Sequence, residues 1–449
     1  MKKLSKIKKI ILGILVVLIL GFGAYRLPPV YSRLSWRIQD LYINIKNTIN
    51  PPVEAVFFPS PNPQANTSLA TTSTVISTPT LAEATPTQPG PSATTTSTYT
   101  PIPEFINLPN VKYVDQFNRW NYCGPANLTM ALNYWGWTGT RDDVAAVVKP
   151  GIQDMKLDFI QQGRSDKNVL PSELTGFVRD YTNYNYFLRY GGDIDLIKRL
   201  VAAGFPVVAE KGEYQLDYNK VLGWMGHYQF ITGYEDGVQS LIVQDTYLDG
   251  PNFRVPYAKF EEGWRAFDYI FFIVYPPERQ AEVLQLLGPW ADPNWGYQHS
   301  LELANQDIKT LTGVDLYFAW FSKGTSLVKL QQYNEAAIAF DNAFNHYATL
   351  VESLGKDNSM LPKRMMWYQT SPYEAYYYSW RYQDVINLAN ITLSNSTTPT
   401  FEESFYWRGM AEYALGENTE GIADLRESVR LNPNFKDGLL ALQNIGVQP

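Results

Sequence analysis

Arg119-Trp120-Asn121-Tyr122-Cys123-Gly124-Pro125-Ala126-Asn127-Leu128-Thr129-Met130-Ala131-Leu132 holds the only cysteine of the chain. Cys123 is followed at once by Gly-Pro and then by apolar residues at helical spacing, Ala126, Met130 and Tyr134, up to Gly136. This pattern predicts a helix with the cysteine at its mouth. A thiol there faces unpaired backbone N–H groups and the positive end of the helix dipole, both of which favour the thiolate. That is how a nucleophile is prepared. The other reading is a small buried hydrophobe, because free cysteines are among the most buried residues. The rest of the chain decides between them.

A cysteine nucleophile needs a base to take its proton and later protonate the leaving group, and a third group to hold that base in one tautomer. Of the three histidines, His299 and His346 fall in a helical tail. His227 remains, in Gly223-Trp224-Met225-Gly226-His227-Tyr228-Gln229-Phe230-Ile231-Thr232-Gly233-Tyr234. It opens a predicted strand over 227–232 after a Gly-containing loop. Glu235-Asp236-Gly237 reads as a hairpin turn, and the next strand runs into Asp245-Thr246. Antiparallel pairing then brings Asp245 beside His227, and a one-residue slip in register would undo this. For the oxyanion, Gln116 in Val114-Asp115-Gln116-Phe117 offers a side-chain amide, with the Cys123 backbone N–H as second donor. Asn121 is a weaker substitute, and Gln116 also reads as an ordinary polar loop residue.

At 449 residues the chain is long enough for two or three domains. Its net charge of −7 is uneven: residues 1–50 carry nine Lys or Arg against Asp40 alone, leaving −15 for the remainder. A nucleic-acid or anionic-surface partner for the body of the protein is therefore not expected. One cysteine permits no internal disulfide. With so few His and Cys there is no zinc set, and no Gly-rich phosphate loop follows a strand, so no cofactor is expected.

The organisation reads as four segments. Within 1–50, Lys2, Lys3, Lys6, Lys8 and Lys9 precede an apolar run from Ile10 to Tyr25. An uncleaved N-terminal membrane helix with its N-terminus inside is expected, continued by an amphipathic juxtamembrane helix. Small residues at Gly21–Ala24 also offer a cleavage site, which would make the protein secreted. Residues 51–103 are rich in Ser, Thr and Pro with only Glu54 and Glu83 charged, and are expected to form a disordered linker. Fully extended it spans about 160 Å, and as a flexible coil about 40 Å. Residues 104–277 give helical signals followed by strand signals, an α+β domain. Residues 278–449 are helical throughout. Trp320, Gly324, Tyr333, Ala336, Phe340 and Ala343 fall at tetratricopeptide-like spacing, echoed by Phe405, Gly409, Leu425 and Pro433, which makes this an all-α docking or packing module.

The block Gln116…Cys123-Gly124-Pro125-Ala126-Asn127-Leu128-Thr129-Met130, the stretch Gly226-His227-Tyr228 with Gly233-Tyr234, Asp245, and the closing Phe260…Trp264…Tyr275-Pro276 together carry a resemblance. Roughly residues 105–276 resemble the cysteine peptidase domain that trims double-glycine leaders in bacteriocin exporters, and its stand-alone relatives. The resemblance implies a papain-like fold with Cys123, His227 and Asp245 as triad and Gln116 in the oxyanion hole. It departs from the family in having no transporter attached and in Thr246, where the family commonly has Pro. The expected function is a membrane-tethered, extracytoplasmic cysteine peptidase acting on a peptide or protein, with the helical repeats holding substrate or a protein partner. Two alternatives stand beside it: amidase or transglutaminase-like acyl transfer on cell-wall material, and a non-catalytic surface scaffold.

Overall fold

The computed structural model describes Gly13, Gly23 and residues 56–61, 102–117, 119, 121–150, 168–216, 222–394 and 400–449. The expected membrane anchor, the juxtamembrane helix and most of the linker lie outside the described residues. Among the described residues, no helix is long and apolar enough to cross a membrane.

The first half of the described chain is mixed α and β. Strand β1 (Phe105–Asn107) is followed by helices α1 (Cys123–Tyr134), α2 (Arg141–Val148) and α3 (Pro171–Tyr181). Then come β2 (Asn185–Arg189), α4 (Ile194–Ala202), β3 (Val207–Leu216), β4 (Leu222–Glu235), β5 (Ser240–Gln244), β6 (Phe253–Pro256), α5 (Tyr257–Arg265) and β7 (Phe271–Tyr275). Local chemistry sets the helix starts. Thr140 and Asp143 cap α2 reciprocally, and the Asp193 carboxylate accepts from the Leu196 N–H at 2.6 Å to start α4. The α4 chain leaves through Gly204 at φ +86°, a conformation glycine adopts without strain.

The strands form one seven-stranded antiparallel sheet in the order β2-β7-β3-β4-β5-β6, with β1 on the far end of β4. One face packs on α4 and α5 through Ile197, Leu200, Val201, Phe260 and Trp264. The other packs on α1, α2 and α3 through Leu128, Met130, Val144, Leu174 and Phe177 against Val208, Tyr228 and Phe230. Strand β4 is the spine and is longer than its hydrophobic pattern suggests. The Gly-containing stretch before His227 is strand, because β3 runs on to Leu216 and pairs Lys211 with His227, Gly212 with Gly226 and Leu216 with Leu222. His227 therefore sits within a strand, where the start of one was expected.

The second half is helical: α6 (Gln280–Leu287), α7 (Pro293–Thr310), α8 (Gly313–Lys329), α9 (Tyr333–Leu354), α10 (Met365–Tyr368), α11 (Ser371–Tyr378), α12 (Tyr382–Ser394), α13 (Glu402–Ala414), α14 (Asn418–Leu431) and α15 (Lys436–Asn444). Neighbouring helices pair closely, consistent with helical repeats. A Cβ at Gly324 would lie 2.6 Å from the Phe340 ring, and one at Gly409 would lie 2.7 Å from the Gly421 carbonyl oxygen. These helices also complete the sheet domain. Trp224 of β4 stacks between Phe267 (5.8 Å) and Phe318 of α8 (5.3 Å), with Tyr368 of α10 edge-on at 5.8 Å. Each such pair contributes roughly 0.5–1.5 kcal/mol beyond its buried area. The expected linker is not uniformly free of structure, since Phe57 is buried against Phe344 and Tyr376 and Ser60 bonds Asp384.

Candidate active site

Helix α1 begins at Cys123 itself. Asn121, at φ +46°, turns the chain into it, and no side chain caps its first turn. The start of this helix is fastened to the sheet by Asn127, one turn on, whose Nδ2 donates to the carbonyls of Cys123 (2.8 Å) and Tyr228 of β4 (3.0 Å). Strand β4 presents His227 opposite. The predicted hairpin is present as an antiparallel β4–β5 pair joined through Asp236–Val238, and Asp245 follows β5 directly. A register shift between Ile231 and Gly233 lies beyond the Phe230–Gln244 pair and leaves the Asp245 end in place.

The structure brings Cys123, His227 and Asp245 together. His227 Nε2 is 2.8 Å from Asp245 Oδ2, so Nδ1 is the nitrogen left to hydrogen-bond the Cys123 side chain. Asp245 is held rigidly. Its Oδ2 also accepts from Gln229 Nε2 at 3.1 Å, and its Oδ1 accepts from the backbone N–H groups of Tyr247 (2.8 Å), Leu248 (3.0 Å) and Asp249 (3.3 Å). Tyr113 donates to its backbone carbonyl at 2.8 Å.

The electrostatics follow from this packing. Burial pushes the half-buried Cys123 thiol up. The hydrogen bond and charge of His227, the Tyr228 backbone N–H and the charge of Lys149 outweigh burial and bring the thiol below its ordinary value. Burial disfavours the His227 imidazolium, yet the charges of Asp245 and Glu213 and the bonds to Asp245 and Cys123 hold it well above the usual histidine range. Asp245 is likewise raised by burial, and the charge and hydrogen bond of His227 with its other donors carry it well below the carboxylate range. The three groups together favour a thiolate–imidazolium pair backed by a carboxylate.

Gln116 joins the site through Thr246. Its backbone N–H donates to the Thr246 carbonyl at 2.9 Å, and the Thr246 hydroxyl donates to Gln116 Oε1 at 2.9 Å. With its oxygen engaged in this way, the amide keeps its NH₂ as a donor. The Asn121 carbonyl accepts from Lys149 Nζ at 3.1 Å. The two other histidines serve packing: His299 stacks on Trp295 at 4.8 Å, and His346 bonds the Gly313 carbonyl at 2.7 Å.

Several neighbours were not singled out by the sequence reading. Asn127, Gln229, the Thr246 hydroxyl and the buried Lys149 each hold or polarise a member of the site. Only Asn127 left a usable signal, a polar residue four after the cysteine on the same face of a mostly apolar helix. Glu213, His227 and Asp245 converge with ligand atoms within 4.8 Å of one another. The Glu213 carboxylate, however, is bonded by Lys211 at 2.5 Å and by Gln215, and Asp245 is saturated as described. Both carboxylates are thus engaged by protein donors.

Residues 108–270 match the model of the Peptidase_C39 like family. Among solved structures, a Bacillus anthracis protein described as a C39-like peptidase aligns at 20% identity over 38% of this chain and 96% of its own, with a TM-score of 0.31. The cysteine protease xylellain of Xylella fastidiosa aligns at 14% identity over 39% of this chain and 87% of its own, with a TM-score of 0.27. No curated protein matches the chain. Residues 108–270 thus constitute a Peptidase_C39-like domain, of the cysteine peptidase class.

Proposed function

We propose that the chain is a cysteine peptidase that hydrolyses peptide bonds through Cys123, His227 and Asp245, with Gln116 at the oxyanion. The observation that carries this is the buried His227–Asp245 pair, Nε2 to Oδ2 2.8 Å, whose imidazole lowers the Cys123 thiol. The Cys123 sulfur bonds to the substrate carbonyl carbon, and the carbonyl electron pair moves onto oxygen, towards the Gln116 amide and the Cys123 N–H. Collapse of this adduct breaks the C–N bond as the imidazolium gives its proton to the leaving amine. Neutral His227 then takes a proton from water, which attacks the thioester and releases the thiolate. Asp245 keeps the ring in one tautomer throughout and stays ionised. In the same reading the N-terminal apolar run tethers the protein to a membrane with the two domains outside the cytoplasm, and the helical repeats hold substrate or a partner.

Alkylation by iodoacetamide across pH tests the relay in the full chain. Wild type is expected to label at neutral pH and below, Cys123→Ala not at all, and His227→Ala only at alkaline pH like a free thiol. Alkaline labelling in wild type with no effect of the His227 change would refute the catalytic reading and favour a binding scaffold.

A further inference from the structure

Helix α2 carries a cation at each end, and both are turned back onto the chain that leads into α1. At its start, the Arg141 guanidinium grips the backbone on either side of Gln116. Its Nη1 donates to the Asp115 carbonyl and, at 2.7 Å, to the Asp115 carboxylate, and its Nη2 donates to the Phe117 carbonyl at 3.0 Å. At the other end Lys149 is 1% exposed, and its ammonium donates to the Asn121 carbonyl at 3.1 Å and lies 5.0 Å from the centroid of the Tyr122 ring. Burying an ammonium is unfavourable unless its protons are hydrogen-bonded, so this lysine is committed to the backbone two residues before Cys123. Arg119 Nε adds a bond to Asp142, the second residue of α2, at 3.3 Å. The helix itself accounts for only one of the two cations. Its dipole favours Lys149 at the carbonyl end and disfavours Arg141 at the N–H end, where Asp142 and Asp143 belong.

We infer that α2 is the element that sets the oxyanion hole, with Arg141 and Lys149 as its two positioning residues. This rests on the peptidase reading above. The hole has two donors from separate places, the Gln116 side chain and the Cys123 backbone N–H, and they stabilise an oxyanion only if both aim at one point in space. Neither is fixed by its own element: Gln116 lies in a loop, and the Cys123 N–H leads a helix whose first turn no side chain caps. Arg141 holds the carbonyls on either side of Gln116. Lys149 holds the Asn121 carbonyl and packs on Tyr122, whose own carbonyl starts the first turn of α1 by accepting from the Ala126 N–H at 2.9 Å. About 12 Å of helix, at roughly 1.5 Å per residue, fixes the span between the two grips. The Thr246 bond to Gln116 and the Asn127 bonds to the carbonyls of Cys123 and Tyr228 act on the same two donors from the sheet. Each donor is therefore held from two sides, and α2 supplies the outer one.

Two reagents, applied to the full chain, separate the placement of the donors from the reactivity of the sulfur. Attack of the Cys123 thiolate on p-nitrophenyl acetate puts negative charge on the ester carbonyl oxygen, then forms the thioacetate and expels p-nitrophenolate, whose colour reads the step. Alkylation by iodoacetamide displaces iodide at a saturated carbon and forms no oxyanion. Both rates scale with the thiolate fraction, so their ratio at one pH reports the oxyanion donors. Arg141→Met and Lys149→Met are each expected to lower that ratio by roughly 10–10²-fold, with the fold retained by circular dichroism. Arg141→Lys keeps the charge but loses the fork that spans two carbonyls, and is expected to fall as far. In a Gln116→Ala background Arg141→Met should cost nothing further, whereas Lys149→Met should still lower the ratio, because it acts through the other donor. An unchanged ratio in either Met variant, full recovery in Arg141→Lys, or a loss from Arg141→Met that persists undiminished without Gln116 would overturn the inference. A wild type that is not acylated and alkylates only at alkaline pH would instead remove the peptidase reading beneath it.

Discussion

Asp245 does two jobs that a single substitution pulls apart: it sets the tautomer of His227 and it supplies the negative charge that keeps the ring protonated. Asp245→Asn preserves most of the hydrogen-bonding shape. Removing the charge lowers the folded-state pKa of His227, which in turn weakens what holds the Cys123 thiol down. The pair needs a deprotonated thiol and a protonated ring, so its working window narrows from both sides. Peptide hydrolysis at neutral pH should fall by about 10²–10⁴-fold, with thiol labelling displaced to higher pH in the same variant. An unchanged labelling profile would show that Asp245 does not govern the pair. Gln116 gives a second prediction at this scale. Because the Thr246 hydroxyl fixes its amide, Thr246→Val should lower kcat with little change in KM, and Gln116→Ala should lower it by about 10²-fold. If the double variant is no worse than Gln116→Ala alone, Thr246 acts only through Gln116. Additive losses would give it another role.

At the level of elements, what was legible in the sequence was what is local. The helix opening at Cys123, the turn after Glu235 and the approach of Asp245 to His227 are encoded within short windows by Gly-Pro, by Asp-Gly and by alternation. The length of β4 was not legible, because Gly223 and Gly226 weaken a strand pattern on their own and are extended here only through pairing with distant β3. Nor were Lys329, Thr325 and Tyr368, which line one cavity with Glu210 from more than a hundred residues away. The turn between α5 and β7 shows the same dependence. Asp268 there is buried and bonded by Ser300 of α7 and Ser326 of α8, the latter at 2.9 Å. Burial raises it to about 7 against an ordinary 3.8, with the serine bonds and Lys329 opposing. The folded state thus holds a proton that the unfolded chain releases, so this group costs stability progressively as pH rises from about 4 to about 7. Asp268→Asn removes that dependence. Its Tm relative to wild type should climb on the order of 5 °C between those pH values, and a flat difference would show that the carboxyl titrates normally.

On the scale of the whole molecule, the contact of Phe57 with the helical domain changes what the Ser/Thr/Pro-rich segment does. A uniformly free linker would let the peptidase domain range over the whole stretch to Pro103. Instead Phe57 sits 5.0 Å from Phe344, the Ser60 N–H donates to Asp384 Oδ1 at 3.0 Å, and Arg381 bonds the Ser60 carbonyl at 3.1 Å. The chain is caught on the helical domain before it returns to the sheet at β1. In the tethered arrangement proposed above, only the chain between Tyr25 and Phe57 sets how far that domain stands from the membrane. The helical domain is then the part held nearer the anchor along the chain. The clasp is small, one buried ring and a few hydrogen bonds, so it should open without unfolding either domain. Phe57→Ser is expected to abolish hydrogen-exchange protection of the Ser60 amide and to expose the segment to proteolysis. Thermal stability should fall only slightly, and Cys123 alkylation should keep its pH profile, since no part of the clasp touches the relay. If Ser60 exchanges freely in wild type, the clasp does not form in solution, and the reach of the domains reverts to that of the full linker.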